Sequence, residues 1–362
     1  MKIYIIAGED SGDLHGANLI RAMRQEGEDL QVRGVGGEKL AGVDTELVAH
    51  IRDINFMGFW EVISNLRTIR RLFRTVKSDI LSWQPDVVIL IDYPGFNLRM
   101  ARFIHEQGIP VIYYISPQVW AWKKGRVKII RDYVDKMLVI LPFEKEFYKH
   151  EGVDVDFVGH PLLDALEDHS TPADKEPEVI ALLPGSRKQE IKRMLPVMLD
   201  LIDEFPERQF IIAGAPSQDS AFYEPLIHGR RVELWMNRTY ELLRKADIAI
   251  VTSGTATLET ALLEVPQMVV YKGSPASYWI GKRLVKVPYI SLVNLILDKP
   301  AVEELIQHDF TTQRLIASLR QLMQPERLEQ VHRDYQLLKE KLGKNGASQQ
   351  AARKILTYLR EN

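Results

Sequence analysis

Three short stretches of this 362-residue chain combine residue types that do chemistry with spacings that allow it. Thr252-Ser253-Gly254-Thr255 interrupts an apolar run, Asp247 to Val251, and leads directly into a helical pattern, Thr255 to Glu264. Small hydroxyl residues and a glycine at a strand-to-helix junction leave backbone N–H groups at the positive end of a helix dipole, an anion site suited to a diphosphate. Glu259 stands one helical turn further in, within reach of a ribose whose phosphates sit at the helix tip. A second turn, Pro184-Gly185-Ser186-Arg187, follows the strand pattern Val179 to Leu183. Its N–H groups, the Ser186 hydroxyl and the Arg187 guanidinium could hold another face of the same nucleotide. Taken alone, the first stretch also fits an N-capped helix in any α/β domain.

The third stretch is acidic. Glu9, Asp10 and Asp13 share the turn after the strand pattern Lys2 to Gly8. Three carboxylates repel a phosphate, and the turn is not a GxGxxG fingerprint. It suits sugar hydroxyls, with Ser11 among the contacts, or acid–base work; a solvated acidic turn is the plain alternative. Asp92 ends the buried-strand pattern Pro85 to Ile91 and is followed by Tyr93, Pro94 and Phe96. Ligands of open parallel sheets bind at that strand edge, which makes Asp92 a candidate for a tuned general base, unless it merely caps the next helix. Ser116-Pro117-Gln118-Val119-Trp120-Ala121-Trp122-Lys123 sets two tryptophans beside a lysine, an apolar wall with a phosphate-directed cation or a packed loop. His160, in Gly159-His160-Pro161, is a candidate cleft wall.

The elements that must position these residues alternate strand and helix in both halves. Strand patterns fall at Gln31 to Gly37, Val111 to Ile115, Lys136 to Pro142 and Val155 to Val158, then at Phe210 to Ala213, Val232 to Leu234 and Met268 to Tyr271. The polar, proline-bearing segment Glu167 to Pro177 separates the halves as a linker. From Pro300 onward the pattern is helical and closes on an amphipathic helix, Ala347 to Leu359. The expected organisation is α/β: a Rossmann-like domain over 1–166, a second over 178–343, a cleft between them, and a helical tail over 344–362. That tail is expected to pack on an N-terminal domain, its own or a partner's.

Composition narrows the function. Apolar residues make up 46% and charged residues 27%, ordinary values for a soluble globular protein. A net charge of −2 gives no reason to expect nucleic-acid binding, and the lack of cysteine excludes disulfides and thiol nucleophiles. No apolar run approaches the ~20 residues of a membrane span. One stretch could still touch a membrane surface: Phe59, Ile63, Leu66 and Phe73 recur at helical spacing, broadened by Trp60 and Ile69. Arg67, Arg70, Arg71, Arg74 and Lys77 accompany them, so the helix could lie in an interface or pack on a sheet with a solvated basic side.

Six blocks then occur together in order: Ala7-Gly8-Glu9-Asp10-Ser11-Gly12-Asp13, Ser116 to Trp122, Leu141-Pro142-Phe143-Glu144, Leu183-Pro184-Gly185-Ser186-Arg187, Thr252 to Glu259, and Lys282-Arg283-Leu284-Val285-Lys286. With them the chain closely resembles the lipid-A-disaccharide synthase family over essentially its full length. The resemblance implies a GT-B glycosyltransferase fold, with two Rossmann-like domains facing a central cleft. It also implies transfer of 2,3-diacylglucosamine from UDP to 2,3-diacylglucosamine 1-phosphate, giving a β-1,6-linked disaccharide 1-phosphate and UDP. Family members act without metal or cofactor at the cytoplasmic face of the inner membrane, as peripheral proteins, and a homodimer is an expected state. Inversion calls for one base: Asp92 matches the family's candidate, with Glu9 the runner-up. Ser253, Gly254 and Thr255 match the diphosphate loop, Glu259 the ribose contact and Asn294 a polar contact to the donor. Acylated substrates strengthen the membrane reading of Phe59, Trp60, Ile63 and Leu66.

Other classes remain to be weighed. A peptidoglycan N-acetylglucosaminyl transferase carries a GGTGGH-type first loop, where this chain has Gly8-Glu9-Asp10-Ser11-Gly12-Asp13. A UDP-sugar epimerase shares the double-Rossmann layout, but Thr252 to Glu259 lacks its paired glutamates. A non-catalytic nucleotide-sugar binder at a membrane surface would have no need of both Asp92 and Glu9.

Overall fold

The computed structural model describes residues 1–53, 66–122, 124–167, 178–274 and 287–361. The chain forms two compact units, Met1–Asp164 together with Lys344–Asn362, and Ala165–Gly343. The linker residues 168–177 and the Lys282 to Lys286 block lie outside the described residues.

The first unit is built on β1 (Lys2–Ala7), β2 (Gln31–Gly36), β3 (Thr45–His50), β4 (Val87–Ile91), β5 (Val111–Tyr114), β6 (Lys136–Val139) and β7 (Asp156–Phe157). They form one sheet in the order β3-β2-β1-β4-β5-β6-β7, and every pairing is parallel. Helices cover both faces, so central strands bury side chains on both sides and read as continuous apolar runs. Ile3, Ile5 and Ala7 of β1 enter one core layer, Tyr4 and Ile6 the other. The order reverses between β1 and β4, and that reversal opens a crevice at the carboxyl ends of the two strands.

The closing helix, Ala347–Glu361, completes the first layer by burying Ala351, Ala352, Ile355 and Leu356 beside the helix Asp10–Gln25. Asp164 receives its first turn, accepting from the N–H groups of Gly346 at 2.6 Å, Ala347 at 3.4 Å and Ser348 at 3.3 Å. Arg353–Glu26 and Arg360–Glu28, each at 2.7 Å, line its outer edge.

The second unit repeats the plan with β8 (Val179–Leu183), β9 (Gln209–Gly214), β10 (Glu233–Met236), β11 (Ile248–Thr252), β12 (Gln267–Tyr271) and β13 (Glu303–Ile306). The order is β10-β9-β8-β11-β12-β13, again all parallel, and reverses between β8 and β11.

The structure corrects several boundaries. Residues after Pro300 are not all helical: Glu303–Ile306 pairs with β12 as an edge strand. Thr45–His50 is a strand that lacks the apolar run of the central strands. β10 begins at Glu233 instead of Val232, because its register is set by pairing Glu233 with Ile211.

Candidate active site

Both sheets set candidate residues at the point where strand order reverses. In the first, Ala7 pairs with Ile91, so Glu9 and Asp92 leave neighbouring strands at one edge. Their turns close tightly on each other: a Cβ on Gly8 would stand 2.2 Å from Cδ1 of Tyr93, so only glycine fits beneath that ring. Burial pushes the Asp92 carboxyl up to about 7, the charge of Glu9 adds to the effect, and the Tyr93 N–H opposes it. A carboxylate that titrates near neutrality suits general-base work. Asp92 and Tyr93 hold φ of 40° and 48°, and Ile115, just past β5, holds 67°. Left-handed backbone costs a non-glycine residue about 1–2 kcal/mol, and such residues persist where surrounding structure holds them.

Neighbours of this edge divide into accessible and internal groups. Ser11 is exposed in the first turn of the helix Asp10–Gln25. Asp13, counted at the sequence level with the acidic turn, is buried and structural: its carboxylate accepts from the N–H groups of Gly37, Lys39 and Leu40 at 2.6, 3.0 and 3.1 Å. Trp120 is partly buried, with its ring edge-on to Phe143 at 4.9 Å. Its indole N–H donates to Glu144 at 3.2 Å. Glu144 went unremarked as a functional group in the sequence, yet it is buried, accepts from the Leu141 N–H at 3.0 Å, and burial raises its carboxyl to about 7. Ser116 adds a 2.7 Å hydroxyl contact to Tyr148, so the Trp120 loop is anchored at both ends. Lys123 lies outside the described residues.

His160 differs from the cleft-wall expectation. It is only 5% exposed, and its Nδ1 accepts from the Leu162 N–H at 3.2 Å. Burial, reinforced by His15, lowers its pKa to about 3, so it is a neutral packing group at physiological pH.

In the second unit, Leu183 pairs with Val251, which brings the turns after β8 and β11 side by side. Gly185 holds φ 104°, and a Cβ there would meet Glu190 Oε2 at 2.9 Å and Thr252 Cγ2 at 3.5 Å. Glu190 accepts from the Arg187 N–H at 3.3 Å and from its guanidinium at 3.4 Å, holding the exposed arginine beside the turn. Ser217 donates to the Ser186 carbonyl at 2.8 Å.

The helix Thr255–Leu262 starts behind Gly254, which provides no side-chain cap. Gly254 is extended and a Cβ there would meet nothing within 4 Å among the described residues, and both Gly254 and Thr255 are exposed. Ser253 turns inward and donates to the Ile290 carbonyl at 2.9 Å. Glu259 accepts from the Tyr240 hydroxyl at 2.8 Å, and burial raises its pKa. Asn294, expected as a polar donor contact, is only 1% exposed and turned inward. Its amide donates to the Val302 carbonyl and to Glu304 and accepts from the Val302 N–H at 2.8–2.9 Å. Glu304 in turn receives the Ile290 and Ser291 N–H groups. Asn294 thus braces the segment that Ser253 touches.

Phe59, Trp60 and Ile63 lie outside the described residues, and Leu66 opens the helix Leu66–Trp83. Below Leu66 the apolar side of that helix belongs to the sheet: Leu72, Val76 and Ile80 are core, and Phe73 stacks on Phe96 at 4.1 Å. Arg67, Arg70, Arg71 and Arg74 are exposed. Among the described residues no helix is long and apolar enough to cross a membrane.

Two all-parallel α/β units in tandem, one carrying a carboxylate pair and the other an open strand-to-helix turn, make the GT-B fold class. Solved structures agree on the fold: a Neisseria meningitidis UDP-GlcNAc 2-epimerase bound to UDP-GlcNAc has a TM-score of 0.64 at 15% identity, covering 100% of each chain. The kitacinnamycin glycotransferase has a TM-score of 0.65 at 15% identity, covering 99% of each. Within the class, residues 3–356 match the family described as lipid-A-disaccharide synthetase, and the chain belongs to that family. The lipid-A-disaccharide synthase of Syntrophus aciditrophicus (strain SB) is 42% identical, covering 99% of this chain and 98% of its own. That of Geobacter sulfurreducens is 40% identical over 99% and 97%.

Proposed function

We propose that the chain transfers 2,3-diacylglucosamine from its UDP derivative to the 6-hydroxyl of 2,3-diacylglucosamine 1-phosphate. The observation that supports this most directly is the coincidence of chemistry with both switch points. A raised-pKa carboxylate stands at β1/β4, and an uncapped, glycine-fronted helix start stands at β8/β11.

In this reading Asp92 takes the proton of the acceptor hydroxyl as its oxygen bonds to the donor anomeric carbon. The bond from that carbon to the diphosphate breaks in the same step, and UDP leaves with the electron pair. One in-line displacement inverts the anomeric centre and gives the β-1,6 linkage. The Gly254 and Thr255 N–H groups, Ser186 and Arg187 stabilise the leaving diphosphate, with Ser253 shaping the turn, as preorganised donors do at developing charge. Glu259 receives the ribose hydroxyls. Glu9 keeps the Asp92 proton affinity high, Ser11 contacts acceptor hydroxyls, and Trp120 with Lys123 forms the wall near its phosphate.

The acylated substrates place the enzyme as a peripheral protein at the cytoplasmic face of the inner membrane. Phe59, Trp60, Ile63 and Leu66 enter the lipid surface, with the exposed arginines of the following helix against anionic headgroups. A homodimer is part of the same proposal. Incubation with donor and acceptor should release UDP and form disaccharide 1-phosphate. Conversion of the donor without acceptor would instead mark an epimerase, and no turnover would mark a binder.

A further inference from the structure

The turn that carries Asp92 is held by two side chains that have no place in the chemistry just described. Asn97 and Tyr113 are both fully buried, and both converge on the main-chain carbonyl of Asp92. The Tyr113 hydroxyl donates to it at 2.5 Å, and the Asn97 amide at 2.8 Å. The same amide nitrogen lies 3.0 Å from the Ile91 carbonyl and 3.3 Å from that of Ile6. Its two hydrogens therefore serve three carbonyls, one on β1, one at the end of β4 and one just past it.

This arrangement is not ordinary capping. Asn97 leaves its own Oδ1 buried without a hydrogen-bond partner among the described residues. The carbonyl it holds belongs to the first of two consecutive left-handed, non-glycine residues. A parallel sheet needs neither feature to pair β1 with β4, and the ladder ends at Ile91. The strained residue is the one that carries the carboxylate, and both clamps act on the backbone atom next to it. Left-handed backbone at the residue that carries the carboxylate, held by two buried side chains, is the kind of local strain that collects at functional sites.

We propose that Asn97 and Tyr113 are positioning residues that lock the left-handed Asp92–Tyr93 turn and so aim the Asp92 carboxylate at the acceptor hydroxyl. The proposal rests on the reading of Asp92 as the base. Tyr113 comes from β5 and Asn97 from the helix Pro94–Glu106, so the clamp ties three elements to one carbonyl. If it loosens, the turn can relax toward ordinary backbone angles and swing the carboxylate away from the reacting oxygen and toward water.

Tyr113→Phe tests this with the least disturbance, since it removes one buried oxygen and keeps the ring. We expect kcat to fall ~10–100-fold, the scale of a small misplacement of a reacting group, with the donor KM unchanged. The acid limb of the kcat profile should move to lower pH as the carboxyl gains water. Asn97→Ser, which keeps a short donor, should fall between the parent and Asn97→Ala.

Asp92→Asn measured alongside separates the two ideas. Combined with Tyr113→Phe, it should be no slower than Asp92→Asn alone, because both act through one group. If Asp92→Asn keeps parental kcat, the base reading itself fails. If Asp92→Asn is inactive while Tyr113→Phe leaves kcat and the acid limb untouched, or the double variant shows additive losses, the positioning role is wrong and the clamp serves folding alone. A Tyr113→Phe protein with a lower melting temperature but a parental pH profile overturns it equally.

Discussion

Glu9 and Asp92 follow β1 and β4 across a single register pair, Ala7 with Ile91, and the charge of Glu9 helps keep the Asp92 carboxyl protonated up to about pH 7. Burial is the larger cause and Glu9 the second. A carboxylate from a turn far away in sequence thus adds to what burial does to Asp92.

The first consequence is a pH profile. A base must be ionised to act, so kcat/KM should rise with pH through about 7 and level off above it. Asp92→Asn should lower kcat by ~10²–10⁴-fold. Glu9→Gln removes the repelling charge and should shift the acid limb to lower pH. An unshifted limb in Glu9→Gln would show that burial alone sets the Asp92 value.

Gly254 offers a test of the donor site that leaves the fold alone. Its backbone is extended and a Cβ would touch nothing within 4 Å among the described residues, so Gly254→Ala should melt like the parent. A methyl group there stands where a diphosphate would approach the N–H groups, so UDP affinity by calorimetry should fall. Arg187→Ala should weaken UDP by about 1.5–3 kcal/mol, the worth of a charge-assisted hydrogen bond. Parental affinity in both variants would move the site elsewhere.

Glu144 should leave a signature in stability. Its carboxyl is raised from 4.5 to about 7, so the folded state holds its proton more tightly than the unfolded one. That contribution is complete below pH 4.5 and is lost as pH rises to about 7. Glu144→Gln lacks it, so urea midpoints should move in the variant's favour between pH 5 and pH 8. A constant difference between the two proteins would mean that Glu144 ionises as freely folded as unfolded.

Asp164 should hold the closing helix in place. Capping carboxylates are worth about 0.5–2 kcal/mol, and this one meets three successive N–H groups. In Asp164→Ala, amide exchange over residues 347–361 should accelerate while exchange over Val179–Leu183 stays slow. Unchanged exchange in the closing helix would show that its buried Ala351, Ala352, Ile355 and Leu356 suffice.

The central strands of both sheets, the strand-to-helix turns after Leu183 and Thr252 and the position of Asp92 at a strand end were all legible in the residues. The reason is physical: a strand covered on both faces must be apolar throughout, so Val87–Ile91 and Ile248–Thr252 announce themselves and their ends. The edge strands Thr45–His50 and Glu303–Ile306 carry no such run, because a sheet edge is only partly covered. Which turn faces which depended on strand order, and order is decided by packing across the whole unit. The pairings Ala7 with Ile91 and Leu183 with Val251 exist only once the sheets are assembled. The same holds for the inward groups. Asp13 and Asn294 sit in suggestive motifs, and only their burial and inward hydrogen bonds turn them from candidate contacts into braces, while burial alone makes His160 a packing group. Asn97 and Tyr113 read as unremarkable helix and strand residues until folding brings both to one carbonyl.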